Sequence, residues 1–168
     1  TIYSVMVKLC GVGEGLVETE ILDLIEAQEN PTIATYAKTG EVHLRVTARA
    51  SDEKEARKLL KPMLKELKKR FGSHIYATNE ATTLEESIVA LLKEKNLTLT
   101  TAESCTGGML SARLTNVPGV SEVFKQGFVA YSNRAKRKLL DVKKNTLKTY
   151  GAVSEKTAKE MAKNGAFI

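Results

Sequence analysis

The chain has 168 residues, enough for one domain of ordinary size or two small ones, and its 42% hydrophobic and 27% charged content is that of a folded globular protein. No apolar run approaches the ~20 residues that a bilayer span needs, which excludes a membrane as partner through a helical span. The net charge of +6 is unevenly placed: residues 1–82 carry 12 Lys and Arg against 12 Asp and Glu, so all of it lies in residues 83–168. Such a half suits an anionic ligand, either a phosphorylated small molecule or a nucleic-acid backbone, and it equally suits a Lys-rich solvated surface.

Ile2 to Leu9 alternates well enough for a strand. Gly11-Val-Gly-Glu-Gly15 follows, then a helical pattern from Leu16 to Ile25. Strand, glycines and helix invite a dinucleotide-binding reading, but the third glycine comes one place too early for G-x-G-x-x-G. A turn that eases the start of a helix is the better account. Thr32–Lys38 and Glu41–Arg49 both alternate, with Thr39-Gly40 as the hairpin turn between them. Ser51 is expected to cap a long helix with acids in its first turn and Lys68, Lys69 and Arg70 in its last. Pro62 should kink or break that helix, and Gly72 should end it. A short strand at 74–78 then completes a β-α-β-β-α-β order, the split βαβ or ferredoxin-like pattern. His43, on an alternating strand, reads as a surface or packed residue. Nothing in this first region carries chemistry.

Residues 79–83 form a short polar linker, so the expected domains are 1–78 and 84–168. Thr83 or Thr82 caps a helix from Leu84 to Asn96 with Leu84, Ile88, Leu91 and Leu92 on its core face. Thr98–Ala102 is a short β-branched strand, and a helix is expected from Cys105 to just before Pro118. Ser121 should cap a short helix reaching Gln126, with Phe128–Tyr131 as the next strand. Asn133 begins a helix to Leu140, a short one ends at Tyr150-Gly151, and Ser154 opens the last. Alternating strands and helices imply a parallel α/β sheet, with ligands at the carboxyl ends of its strands, where Ser104 and Tyr131 both fall.

On spacing alone Ser104 is a plain N-cap. As a nucleophile it would need a base. Both histidines, His43 and His74, lie in the first region, which argues against a Ser-His-Asp triad, and there is no G-x-S-x-G elbow or S-x-x-K pair. Lysines and tyrosines remain. Lys136 follows Tyr131 by five residues across a strand-to-helix turn, so both could face one site, with Arg134, Arg137 and Lys138 supplying positive charge nearby. By itself Lys136 reads as a solvated helix lysine. Cys10 and Cys105 sit in unrelated contexts, which predicts free thiols and a reducing cytoplasm. No residue set has the spacing of a zinc site.

Four blocks carry a family resemblance: Thr-Ala-Glu-Ser-Cys-Thr-Gly-Gly at 101–108, Gly-Phe-Val-Ala-Tyr-Ser-Asn-Arg-Ala-Lys at 127–136, Leu-Leu-Asp-Val at 139–142 and Gly-Ala-Val-Ser-Glu at 151–155. In order and spacing they resemble the first half of the CinA C-terminal domain, the nicotinamide-nucleotide amidohydrolase family, and residues 1–78 more loosely resemble the small α/β domain that precedes it in CinA proteins. The resemblance implies a small ferredoxin-like α+β domain followed by an incomplete three-layer α/β amidohydrolase domain. It implies hydrolysis of nicotinamide mononucleotide to nicotinic acid mononucleotide and ammonia, without metal or cofactor. It makes Ser104 the nucleophile, Lys136 the base and Tyr131 a proton relay or orienting group. Glu103, Thr106, Gly107, Gly108 and Asn133 would lie around the substrate, with backbone amides of 106–108 serving the oxyanion or phosphate. A homodimer is the expected assembly.

The family's Ser-Gly-Ile-Ala-Gly-Pro loop and Lys-Pro-Val-Gly strand are not in this chain. It begins without Met on a strand-like run and stops just after a helix, so it is expected to be a piece of a longer protein. The competing reading is a nucleic-acid-binding or structural module of a competence- or damage-related protein. A KH-type domain needs a Gly-x-x-Gly loop flanked by lysines, which Gly11–Gly15 does not supply, and the neutral first half also argues against nucleic acid as a partner.

Overall fold

A computed structural model describes all residues, 1–168, as two compact units, Thr1–Ser87 and Ile88–Ile168. The first contains β1 (Ile2–Cys10), α1 (Glu14–Glu20), α2 (Leu22–Glu26), β2 (Thr32–Lys38), β3 (Glu41–Arg49), α3 (Glu53–Phe71) and β4 (Ile75–Ala77). Its antiparallel sheet has the order β2-β3-β1-β4, the ferredoxin-like arrangement that the element order implied. Alternation decides the faces. Val7 and Leu9 on β1, Ile33 on β2 and Val42, Leu44, Val46 and Ala48 on β3 point to one side. There they meet Val17, Ile21, Ala56, Leu60, Leu67 and Phe71 from the helices in a single core.

The expected helix over Leu16–Ile25 is two pieces. Ile21 leaves helical geometry (φ −115°, ψ 8°) and is fully buried, so the chain bends where the core demands a side chain. Asp52, not Ser51, caps α3, accepting from the Glu55 amide at 2.8 Å. Ser51 instead donates its amide and hydroxyl to the Glu55 carboxylate. The helix continues through Pro62 without ending. Proline removes one interior hydrogen bond, and the burial of Leu60 and Leu67 on either side holds the helix in place despite that loss. His43 is packed, its Nε2 lying 3.0 Å from Glu41, and the same carboxylate accepts from the Tyr76 hydroxyl. The short polar linker is tied down: buried Lys8 donates to the carbonyls of Glu80 (2.6 Å) and Thr82 (2.8 Å).

Helix α4 (Leu84–Glu94) starts at Thr83, whose hydroxyl accepts from the Glu86 amide. Its buried stripe is Val89, with Leu92 half-buried, against Val117 and Val123. Ile88 and Leu91, expected in the core, are 38% and 49% exposed. The apolar face that is covered is the one that meets Val117 and Val123.

The second unit continues with β5 (Leu99–Glu103), α5 (Met109–Thr115), β6 (Phe124–Val129), α6 (Asn133–Leu140), α7 (Lys144–Tyr150) and α8 (Glu155–Gly165). β5 and β6 pair in parallel, Thr101 opposite Gly127 and Glu103 opposite Val129. Ser111 of α5 lies against one side of this pair, at Thr101 and Gly127. Gly165 of α8 lies against the other, at Ala102 and Phe128.

Two expectations fail here. Phe124–Gln126 is strand rather than helix, preceded only by a 3-10 turn at Val120–Glu122. Gly127, just past that expected helix, is also a strand residue: a Cβ there would stand 2.7 Å from both Ser111 Oγ and Thr101 Oγ1. The helix expected from Cys105 begins only at Met109, after a turn in which Gly107 and Gly108 take positive φ (58° and 100°) that an α-helix does not allow.

Candidate active site

Ser104 follows β5 directly and opens that glycine turn, so it is not the N-cap of α5; Gly108 holds that position without a side-chain cap. The turn closes through the Gly107 amide on the Ser104 carbonyl (3.0 Å) and the Met109 amide on the Thr106 carbonyl (3.0 Å). The residue that caps α5 is Glu103. Its side chain is 4% exposed and accepts from the amides of Leu110 (2.8 Å) and Ser111 (3.1 Å) and from Ser111 Oγ (2.6 Å). Ser111 Oγ in turn lies 2.7 Å from Thr101 Oγ1. Burial would push the Glu103 carboxyl up, but the hydrogen bonds from Ser111, from the two amides and from Thr106 outweigh it and hold the group down at about 2. Glu103 is therefore ionised at neutral pH and fully occupied inside the protein. Its geometry is that of an anchor for the turn rather than of a substrate contact.

Lys136 comes from α6, which Ser132 caps by accepting from the Ala135 amide at 3.0 Å. About one turn into a helix, an isolated lysine would lie in water, yet Lys136 is 2% exposed. Its Nζ lies 2.9 Å from Ser104 Oγ and donates to the Ala130 carbonyl at 2.8 Å. The Ala130 amide donates to the Glu103 carbonyl at 2.8 Å. The contacts close a ring: Glu103 to Ser104 through the chain, Ser104 to Lys136, Lys136 to Ala130, and Ala130 back to Glu103. A serine hydroxyl and a lysine amine 32 residues apart are thus held at hydrogen-bond distance by the β5–β6 pairing.

The other expected site residues are less engaged. Tyr131 is 72% exposed and makes no hydrogen bond to Ser104 or Lys136; it directly follows Ala130 and so stands at the edge of the pair. Asn133, Thr106 and Gly107 are exposed, and Gly108 is half-buried with Val129 3.6 Å from where a Cβ would be. The amides of Leu110 and Ser111 at the head of α5 are taken by Glu103. The turn's own hydrogen bonds leave the amides of Cys105, Thr106 and Gly108 unused. Cys10 and Cys105 are free thiols. Sequence reasoning missed Thr101, Ser111 and Ala130. Thr101 and Ser111 are common small polar residues, and Ala130 acts through its backbone, so no local pattern marks any of them.

Residues 81–166 match the family model described as the CinA C-terminal domain, and residues 4–77 match that of the damage-inducible protein CinA KH domain, which corrects the expectation that a first region without the Gly-x-x-Gly loop is not of KH type. The chain is 53% identical over 161 residues to a CinA-like protein of Dictyoglomus turgidum and 51% identical over 161 residues to one of Kosmotoga olearia. Each alignment covers 96% of this chain but 39% of the relative, so the chain spans about two fifths of the length of these proteins. Among solved structures it is similar to the competence/damage inducible protein CihA of Agrobacterium tumefaciens (44% identity, 50% of this chain and 51% of that one, TM-score 0.49). A CinA superfamily protein of Escherichia coli is similar at 38% identity over 55% of this chain and 56% of that one (TM-score 0.49). No helix is long and apolar enough to cross a membrane. The glycine turn, the serine–lysine pair it presents and the ferredoxin-like unit before them lie within the residues matched, and the chain belongs to the CinA family.

Proposed function

We propose that the second unit is the serine–lysine half of an amidohydrolase site that acts on nicotinamide mononucleotide. The observation that supports this most is the 2.9 Å contact between Lys136 Nζ and Ser104 Oγ, made by a lysine that is 2% exposed. At that distance the lysine amine is placed to take the serine proton as general base. Ser104 Oγ then attacks the carboxamide carbon. The oxyanion meets the unused turn amides of Cys105, Thr106 and Gly108. Collapse breaks the C–N bond as Lys136 returns the proton to departing ammonia. Water, deprotonated by the same lysine, hydrolyses the acyl-serine to give nicotinic acid mononucleotide and regenerate Ser104. Tyr131, with its hydroxyl free at the edge of the site, orients the amide, and the basic surface of this half favours a phosphorylated substrate.

Ammonia release from nicotinamide mononucleotide tests the reading, using this chain and a form extended to the length of its relatives. Ser104→Ala and Lys136→Met should each lower kcat by about 10²–10⁴-fold with little change in substrate affinity. No ammonia from either wild-type form, or activity that survives both substitutions, overturns the reading.

A further inference from the structure

The mechanism above leaves one buried ionisable side chain of the second unit unused, although it adjoins the nucleophile. Glu103 precedes Ser104 in the chain, is 4% exposed, and spends its carboxylate on Leu110, Ser111 and Thr106. A carboxylate kept out of water needs every lone pair served, and this one is served entirely by the segment that follows the serine turn. We propose that Glu103 is a positioning residue for the Ser104 nucleophile: together with Ser111 and Thr101 it clamps the start of α5 to the end of β5, and so fixes where Ser104 Oγ and the turn amides point.

Three observations carry this. First, the turn holds itself by only two backbone hydrogen bonds and contains two glycines at positive φ, so its shape depends on what grips its far end. Second, Glu103 grips that end from the near side, so that the four residues Cys105–Gly108 are bridged by contacts between 103 and 110–111. Third, Ser111 Oγ donates to Glu103, so its hydrogen bond to Thr101 Oγ1 is one in which Thr101 donates, and the chain Thr101–Ser111–Glu103 has a single direction. Gly127 leaves room for that chain, since a Cβ there would displace both hydroxyls. A shift of about 1 Å in a reacting atom costs on the order of 10²-fold in rate, so a clamp of this kind is read out in chemistry more than in binding.

The proposal rests on Ser104 being the nucleophile, and its test therefore includes a readout that does not depend on the substrate. A fluorophosphonate reacts with an activated serine: the Oγ–P bond forms, the P–F bond breaks, fluoride leaves and the proton passes to Lys136. The rate of Ser104 labelling, followed by mass, is compared for the wild type, Glu103→Gln, Ser111→Ala and the double variant, with folding checked by thermal midpoint. Where the wild type releases ammonia, kcat and KM are measured beside it. Glu103→Gln keeps the shape but gives up the charge and one acceptor. It should slow labelling by 10-fold or more, and lower kcat about as much with KM within twofold. Ser111→Ala should act in the same direction, and the double variant should be no slower than Glu103→Gln, as expected of residues that work as one unit.

Labelling of folded Glu103→Gln at the wild-type rate overturns the proposal, as does a loss that only tracks the unfolded fraction. If Glu103→Gln does not fold, Ser111→Ala decides by the same criteria. Wild-type labelling without ammonia release sinks the nucleotide reading but leaves the clamp standing. A wild-type serine that does not label sinks both.

Discussion

The two units bury different things. In the first, the core runs unbroken from Val7 to Phe71 and is apolar, and Lys8 is the charged side chain buried there. In the second, the apolar core is split into two small clusters, around Leu140 and around Val89, while Thr101, Glu103, Lys136, Thr146 and Thr157 are buried as well. Buried polar groups cost stability unless each finds a partner, and here each does: no buried side-chain nitrogen or oxygen lacks one. The second unit gives up apolar burial for polar groups that are dry and hydrogen-bonded; the first keeps its apolar burial and buries no comparable polar cluster.

The largest expected effect separates the two stabilities. Leu44 is fully buried at the centre of the first core, and Leu44→Ala should cost about 2–5 kcal/mol there, read by denaturant unfolding. Ser104 labelling should persist at denaturant concentrations where the first unit has already unfolded. If both signals are lost together, the units share one cooperative transition and the contrast dissolves.

A glycine pair gives a smaller effect, with opposite signs. Gly127→Ala in β6 must move Ser111 Oγ or Thr101 Oγ1 from 2.7 Å and should destabilise the second unit by about 1–3 kcal/mol. Gly15→Ala in α1 meets nothing within 4 Å and replaces the most flexible residue in a helix, so it should stabilise the first unit by about 0.5–1 kcal/mol. Thermal midpoints of the two variants moving the same way would contradict the assignment of these glycines.

The last effect is read as the pH falls. A carboxyl held near 2 in the folded chain, against an ordinary 4.5, contributes stability that is present above pH 4.5 and is lost as the pH falls from about 4.5 to about 2. Glu103→Gln should flatten that part of the second unit's stability–pH curve. In the first unit Asp23 and Glu66 are also held low, first of all by hydrogen bonds from Arg70. Asp23 is 63% exposed, however, so its contribution should fade in 0.5–1 M salt, on the order of a 3–4 Å screening length, while that of buried Glu103 persists. Unfolding measured against pH at low and high salt distinguishes them.

Much of the first unit was legible because alternation, hairpin glycine and helix ends are written in neighbouring residues. Thr39-Gly40 makes the turn, Gly72 stops α3, and the order of the elements gives the sheet. The misreadings have a common origin. The face of α4 and the bend at Ile21 were each decided by what lies against them. Phe124–Gln126 became strand because β5 offered a parallel partner. The candidate site shows the same division. Its motifs located Ser104 and Lys136, but nothing near Lys136 in the chain says that it is buried, and nothing near Glu103 says that its carboxylate caps a helix six residues on.

The sequence by itself determined the order of the elements, the ferredoxin-like pattern and the chemical types gathered in the motifs, because each of these depends on residues within a turn or two of one another. Tertiary structure decided which of those groups are dry. Burial of a lysine, occupation of a carboxylate and the distance between an amine and a hydroxyl depend on segments brought together across 32 residues by the β5–β6 pairing. Desolvation is a property of everything that surrounds a group, and only the folded chain supplies it.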